Sequence, residues 1–290
     1  MGMTRREFIG SAGAMVVLGG RWGAAADAAA PQLAVAVVSD THLGRKGSQS
    51  PAKWMQQVVG EINASPAEMT LFLGDLVDSG AKNAALYPEW VRIARGLKKP
   101  FHAVPGNHDP EALFTKHVRP ETDYVVDHKG WRFILFQDTR TDSHQGTVTA
   151  EQTAWIGRQL KEAAEKKLRA ILCAHITAHP NKHPDTGWWV RTGGKELRDA
   201  VKARRGTAVA WLAGHFHCGL RGWSDLAGVH ELVLPSTVWN VNRKLEGAPG
   251  FALREFRRGY TLVELHADRL AVRYKPIGAD AGEPLVLRLA

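Results

Sequence analysis

Five short fragments hold side chains whose types and spacing suit joint chemistry: Asp40-Thr41-His42, Gly74-Asp75, Gly106-Asn107-His108-Asp109, His175 and Gly214-His215-Phe216-His217. Asp40 and His42 are two residues apart, as are His215 and His217, so each pair faces one side of an extended segment. Gly74, Gly106 and Gly214 each precede a polar residue and suit tight turns where backbone approaches a ligand. The carboxylates, imidazoles and one carboxamide form a mixed oxygen and nitrogen donor set, better suited to iron, manganese or zinc than to calcium. A carboxylate shared by two such ions sets them about 3.5–4 Å apart, a clamp for in-line attack on phosphorus.

Each fragment follows a short apolar run that reads as a strand covered on both faces: 32–39, 69–73, 101–104, 168–174 and 208–213. The carboxyl ends of such strands are where binding groups collect in sheets built from β-α units. Apolar residues at helical spacing predict helices over 54–62, 86–97, 112–117 and 196–204. Thr149 and Gln152 form a capping box that opens another, running to about 167. Paired strands are expected at 124–127 and 131–136. Closely spaced strands follow at 220–223, 229–234, 260–266 and 270–274, the last two joined by a turn at 266–269. The order predicts a single α/β (α+β) domain over 31–290, its sheets covered by helices on the outside.

The N-terminus is of another kind. Thr4-Arg5-Arg6-Glu7-Phe8-Ile9 precedes a mild apolar run and an Ala-rich stretch ending at Ala30. This resembles a bacterial Tat signal peptide, which predicts engagement of the Tat export machinery and a periplasmic or secreted protein. No stretch reaches the roughly 18 apolar residues of a spanning helix, so no membrane span is expected after leader removal. The formal net charge of +9 falls only to about +8 without residues 1–30, which carry three Arg, one Glu and one Asp. That excess favours anionic substrates. Basic runs never exceed two or three residues, so no dedicated nucleic-acid surface is expected. Cys173 and Cys218 are the two cysteines, too few for a cysteine-built zinc ribbon, and their pairing is left open. Neither G-x-x-x-x-G-K-[ST], G-x-S-x-G nor H-E-x-x-H occurs, which removes P-loop, serine-hydrolase and zincin chemistry.

In this order, from Asp40 to His217, the five fragments resemble the calcineurin-like metallophosphoesterase superfamily. The resemblance implies an αββα sandwich of two packed mixed β-sheets flanked by helices. It implies a dinuclear centre of two divalent or mixed-valence ions (Mn, Fe or Zn). Asp40, His42 and His217 would hold the first ion, Asn107, His175 and His215 the second, and Asp75 would bridge them. His108 would face the substrate, stabilising the phosphoryl group or protonating the leaving oxygen. The physical chemistry agrees, since metals bring the pKa of bound water to about 7 and a hydroxide between two dications attacks phosphorus at neutral pH. The expected substrate is a small phosphomonoester or phosphodiester. A non-catalytic metal-binding module, a nuclease and a phospholipid phosphodiesterase stand as alternatives.

Departures narrow the family. Ser79 stands where protein-phosphatase members place a phosphate-binding Arg, and Asp109 where they carry Glu. Asp78 stands where purple acid phosphatases have a metal-binding Tyr, and is taken instead as a partner that orients His108. The segment from Cys173 to Pro180 lacks the His-His-Pro-Pro run of the cyclic-nucleotide phosphodiesterase branch, which weighs against that branch. His175 directly follows its strand and is the expected ligand, with His179 as its alternative. Substrate recognition falls to loops 176–192 and 235–258. Trp188 and Trp189 either line a pocket or anchor the first loop. Arg191, Arg243 or Arg254 would supply a cation for the non-bridging oxygens, a choice the sequence leaves open. His144 is assigned to structure.

Overall fold

The strand β1 (Leu33–Val38) buries all six of its residues, which requires cover on both faces. A computed structural model describes residues 30–45, 50–141, 143–180, 187–226, 228–240 and 250–289 and supplies that cover. One six-stranded sheet runs β15 (Leu285–Arg288), β14 (Arg269–Pro276), β13 (Gly259–Leu265), β1, β2 (Met69–Leu73), β3 (Phe101–Val104). The other, seven-stranded, runs β12 (Phe251–Ala252), β10 (Arg221–Leu226), β11 (Val229–Val233), β9 (Ala208–Ala213), β7 (Arg169–Cys173), β5 (Trp131–Leu135), β4 (Tyr124–His128). A small parallel ribbon joins β6 (Gly146–Thr147) to β8 (Val190–Thr192). Both large sheets are mixed. β1, β2 and β3 are parallel neighbours, as are β5, β7, β9 and β11, while β1 pairs antiparallel with β13.

Strand alternation sorts the apolar residues into three layers. Leu33, Val35, Val37, Leu71 and Leu73 face Phe133, Leu135, Ile171 and Leu212 between the sheets. On the outer side of the first sheet, Ala36, Val38 and Phe72 pack on α1 (Pro51–Asn63) and α2 (Tyr87–Ala94) through Met55, Val58, Trp90 and Ile93. On the outer side of the second, Ile134, Leu172 and Trp211 meet α4 (Ala150–Glu165) and α5 (Gly194–Lys202) through Ile156, Leu160, Leu197 and Val201. A short α3 (Glu111–His117) adds Phe114 to the first outer layer. Each layer has a fully buried tryptophan: Trp131 centrally, Trp90 and Trp211 outside. Burying roughly 150–250 Å² of apolar side chain removes on the order of 4–6 kcal/mol of exposure cost for each.

The Thr149 capping box is formed as expected, with Thr149 Oγ1 accepting from Gln152 N–H and Gln152 Oε1 from Thr149 N–H, both at 3.1 Å. The second helix is shorter than its apolar spacing predicts. It ends at Ala94, where Gly96 N–H closes a turn on Ile93 carbonyl at 2.9 Å. Cys173 and Cys218 are both free thiols, so the open pairing resolves to no disulfide. Among the described residues no helix is long and apolar enough to cross a membrane. The Arg5-Arg6 segment lies outside them.

Candidate dinuclear metal centre

All five fragments emerge from carboxyl ends of strands: β1, β2 and β3 of one sheet, β7 and β9 of the other. Backbone bonds lace them together. Asp40 N–H reaches Gly74 carbonyl at 3.1 Å, His42 N–H reaches Asp75 carbonyl at 2.9 Å, and Gly214 N–H reaches His175 carbonyl at 2.9 Å. Across the sheets, Asp40 Oδ2 accepts from His215 N–H at 3.1 Å. The approach is close enough to require glycine. A Cβ at Gly106 would lie 2.1 Å from Asp75 N, and one at Gly214 only 1.8 Å from Ser39 Oγ.

Two buried groups of metal-ligating atoms result, beside a partly exposed third of His42, Asp78 and His108. Asp40, His42, Asp75 and His217 form the first and Asp75, His175 and His215 the second, so Asp75 belongs to both. His42 Nε2 and His175 Nε2 each lie 3.4 Å from Asp75 Oδ2, and His217 Nε2 lies 3.2 Å from Asp40 Oδ1. Asn107 is buried nearby on the loop after β3, and its neighbour's amide, His108 N–H, donates to Asp75 Oδ1 at 2.9 Å. The other ring nitrogen of each histidine is held from outside. His42 Nδ1 bonds Asp78 Oδ1 at 3.0 Å, His175 Nδ1 the Leu73 carbonyl at 2.6 Å and His217 Nδ1 the Trp239 carbonyl at 3.1 Å. His215 is held through Nε2 on the His144 carbonyl at 3.1 Å. Each outer bond places a proton on the outward nitrogen and leaves a lone pair directed inward, the arrangement metal-bound imidazoles need.

The cluster fits a cation by its unmet valence. Asp40 Oδ1, Asn107 Oδ1 and His175 Nε2 are buried without a hydrogen-bond partner, and buried polar atoms are rarely left so. Electrostatics agrees. Burial raises the Asp40 and Asp75 carboxyls, but His217 and His175 outweigh it and hold both below the ordinary carboxylate range. Burial lowers His175, yet Asp75 pushes it up to about 10. Carboxylates that outweigh burial in this way mark a site that favours positive charge, which a dication would supply. The backbone is strained around the same point. Asp40, His42, Asp75, His215 and His217 all have left-handed φ, from 38° to 74°, a conformation costing about 1–3 kcal/mol per residue and concentrated at functional sites.

His108 stands beside the cluster, with 24% of its side chain exposed. Its Nδ1 accepts Ser79 N–H at 3.1 Å, which puts the neutral ring's proton on Nε2. Asp78 was expected to orient His108, but its carboxylate makes its short bond to His42 and lies 3.6 Å from His108 Nδ1. The carboxylate thus serves the His42 ring first, as the partner of its Nδ1 among the described residues. His179, the alternative to His175, is turned elsewhere. It stacks on Trp223 at 4.3 Å and bonds Asp225 Oδ2 at 2.9 Å.

The paired tryptophans divide their roles. Trp188 lies 5.0 Å from the His215 ring and stacks on His144 at 4.9 Å, beside the cluster. Trp189 anchors the loop: its carbonyl takes Gly146 N–H at 2.9 Å, and Arg191 stands 5.4 Å over its ring. Trp239 stacks on His217 at 3.9 Å. Arg191 and Arg254 are exposed, and Arg191 is turned to the Trp189 ring. Asn181, Lys182, His183, Asn242 and Arg243 lie outside those residues. Two supports escaped the sequence reading. Asp138, buried past β5, accepts His175 and Ile176 N–H at 3.0–3.2 Å; applying the strand-end rule to 131–136 would have found it. His144 acts through its main-chain carbonyl, which no side-chain pattern signals.

Residues 33–219 match the Calcineurin-like phosphoesterase family. The chain belongs to that family. It is 29% identical over 272 residues to a probable cyclic nucleotide phosphodiesterase of Rhodococcus erythropolis, covering 86% of this chain and 85% of the relative. It is 25% identical over 248 residues to a 3′,5′-cyclic-nucleotide phosphodiesterase of a Nostoc species, covering 81% and 89%. In fold it is similar to a dimetal phosphatase of Danio rerio, with a TM-score of 0.69 and 13% identity over 90% of this chain and all of that one.

Proposed function

We propose that the protein is a two-metal phosphoesterase acting on a small phosphodiester of the cyclic-nucleotide type. The observation that carries the hydrolytic reading is the set of buried, unpartnered donor atoms around a carboxylate shared by both ligand groups. Asp40, His42, Asp75 and His217 would hold one ion, and Asp75, Asn107, His175 and His215 the other. When bound, the ions make water a nucleophile at neutral pH and offset charge on phosphate. The chain's own residues then have distinct tasks. Asp78 and the carbonyls of Leu73, His144 and Trp239 fix the imidazoles. His108, with its proton on Nε2, donates to the oxygen that gains charge as the ester breaks. Support for the diester comes from the two relatives' names, against the weight placed on the missing His-His-Pro-Pro run. The aromatic faces of Trp188 and Trp239 beside the cluster add to it.

The test is turnover of bis(p-nitrophenyl) phosphate and 3′,5′-cyclic AMP by protein loaded with Mn, Fe or Zn. Asp75→Ala and His215→Ala should lose both metal and turnover, whereas His108→Ala should keep metal and lose about 10²–10⁴ in rate. Activity surviving Asp75→Ala would sink the reading. We further propose export by the Tat route, supported by Arg5-Arg6 and the apolar and Ala-rich zones behind them. Replacing both arginines with lysine should retain the protein in the cytoplasm of a Tat-competent bacterium, and unchanged export would refute this.

A further inference from the structure

An anionic ester entering the cluster needs a directed cation, and the first motif delivers one. Arg45 N–H closes a turn on the His42 carbonyl at 3.1 Å, and Gly44 permits it with φ at 90°. Leu43 locks the turn to the second motif, giving its N–H to Leu76 at 3.0 Å and taking Asp78 N–H at 2.9 Å. From this base the guanidinium lies 3.7 Å over the Trp239 ring, and Nη1 lies 3.4 Å from Asp78 Oδ1. Both neighbours also hold histidines of the cluster. Trp239 stacks on His217 at 3.9 Å, and the same Asp78 oxygen bonds His42 and stands 3.6 Å from His108. The side chain is 39% exposed.

In sequence, Ser79 puts no charge beside Asp78; in space, Arg45 brings one to that carboxylate from the adjoining loop. We infer that Arg45 binds the non-bridging oxygens of the substrate phosphate, with Trp239 setting the plane of its guanidinium. The assignment rests on the phosphoesterase reading. A planar fork suits two oxygens of one phosphate, and its stacking on an indole reduces the freedom lost on binding. Asp78 positions the fork through a longer contact than the one it makes to His42, so phosphate oxygens can compete for it.

The experiment compares wild type, R45Q, R45K and W239L, each metal-loaded and checked for metal content. It measures kcat and KM on bis(p-nitrophenyl) phosphate and calorimetric binding of inorganic phosphate. R45Q should keep its metal, bind phosphate about 10–100-fold more weakly and raise KM by a similar factor, with kcat changed less. R45K, a point charge without the fork, and W239L should fall between. Wild-type phosphate affinity and KM in R45Q would overturn the inference while leaving the phosphoesterase reading intact. So would loss of metal from R45Q, since Arg45 would then serve the Asp78–His42 link. A wild-type protein that neither turns over the diester nor binds phosphate would overturn both.

Discussion

Asp109 ties the second and third motif loops together, and its removal should unfasten the site from within. The carboxylate is fully buried. Its Oδ2 accepts Leu76 N–H at 3.0 Å and Gly106 N–H at 2.9 Å; Oδ1 accepts Val77 N–H at 3.2 Å and the Tyr87 hydroxyl at 2.8 Å. Burial pushes the carboxyl up to about 6, below neutral pH, so it remains an ionised acceptor at pH 7. Asp109→Ala strands three amides and a hydroxyl, each costing about 1–3 kcal/mol when buried without a partner. Loop relaxation and entering water recover part of this, leaving an expected loss of about 4–6 kcal/mol. For a fold of this size that is a fall in Tm of roughly 8–20 °C. Asp109→Asn is the sharper case. Its carbonyl can keep Leu76 and Gly106 N–H while its NH2 faces Val77 N–H and the Tyr87 hydroxyl, which can turn to accept, so one amide is stranded and the loss should be smaller than for alanine. Thermal unfolding followed by circular dichroism, with bound metal measured alongside, reads both effects. Asp75 and Asn107 ride on these loops, so metal should be lost with stability. If both variants melt within about 2 °C of wild type and retain metal, the reasoning is refuted.

Gly106→Ala should be as damaging to metal retention as loss of a ligand, because its Cβ would sit 2.1 Å from the Asp75 main-chain nitrogen, which cannot swing away. Wild-type metal content in a folded Gly106→Ala protein would contradict this. His102 should make the fold sensitive to mild acid. Burial, with Arg119 adding to it, lowers its pKa to about 4 from an ordinary 6.5. Its neutral form is therefore tolerated fully above about pH 6.5, and stability declines as pH falls from there to about 4, where the unfolded chain binds the extra proton. His102→Gln should flatten Tm across that window relative to wild type, and an unchanged acid slope would count against it.

The sequence reading placed the central strands closely because β1, β2, β7 and β9 are apolar on both faces and end at chemically distinctive residues. It missed β6, β8 and β12, which have two or three residues and no periodicity to detect, and β15, a four-residue edge strand. Six of the seven residues singled out as ligands fall into two groups that share Asp75 because strand order, not local spacing, gathers them. What sequence could not convey was the outer ring of support. The bonds from Leu73, His144 and Trp239 come from carbonyls, which every residue has. Asp78 illustrates the remaining limit: its place in the motif suggested a partner for His108, while the three-dimensional path of loop 40–45 made His42 the nearer partner.

The position of β1 also sets a clock on biosynthesis. It lies inside the first sheet, with β2 on one side and β13 on the other, and Leu33 pairs with Leu265. A chain emerging from the ribosome therefore carries the apolar segment LAVAVV with one edge bare until residues 259–265 are made. Such an edge invites pairing with other chains. Truncation ahead of β13 should yield insoluble protein rather than a smaller active one. Asp40 follows directly from that strand, and the cluster it belongs to lacks its last ligand until His217 has been synthesised. Any ion captured earlier would meet an unfinished cage.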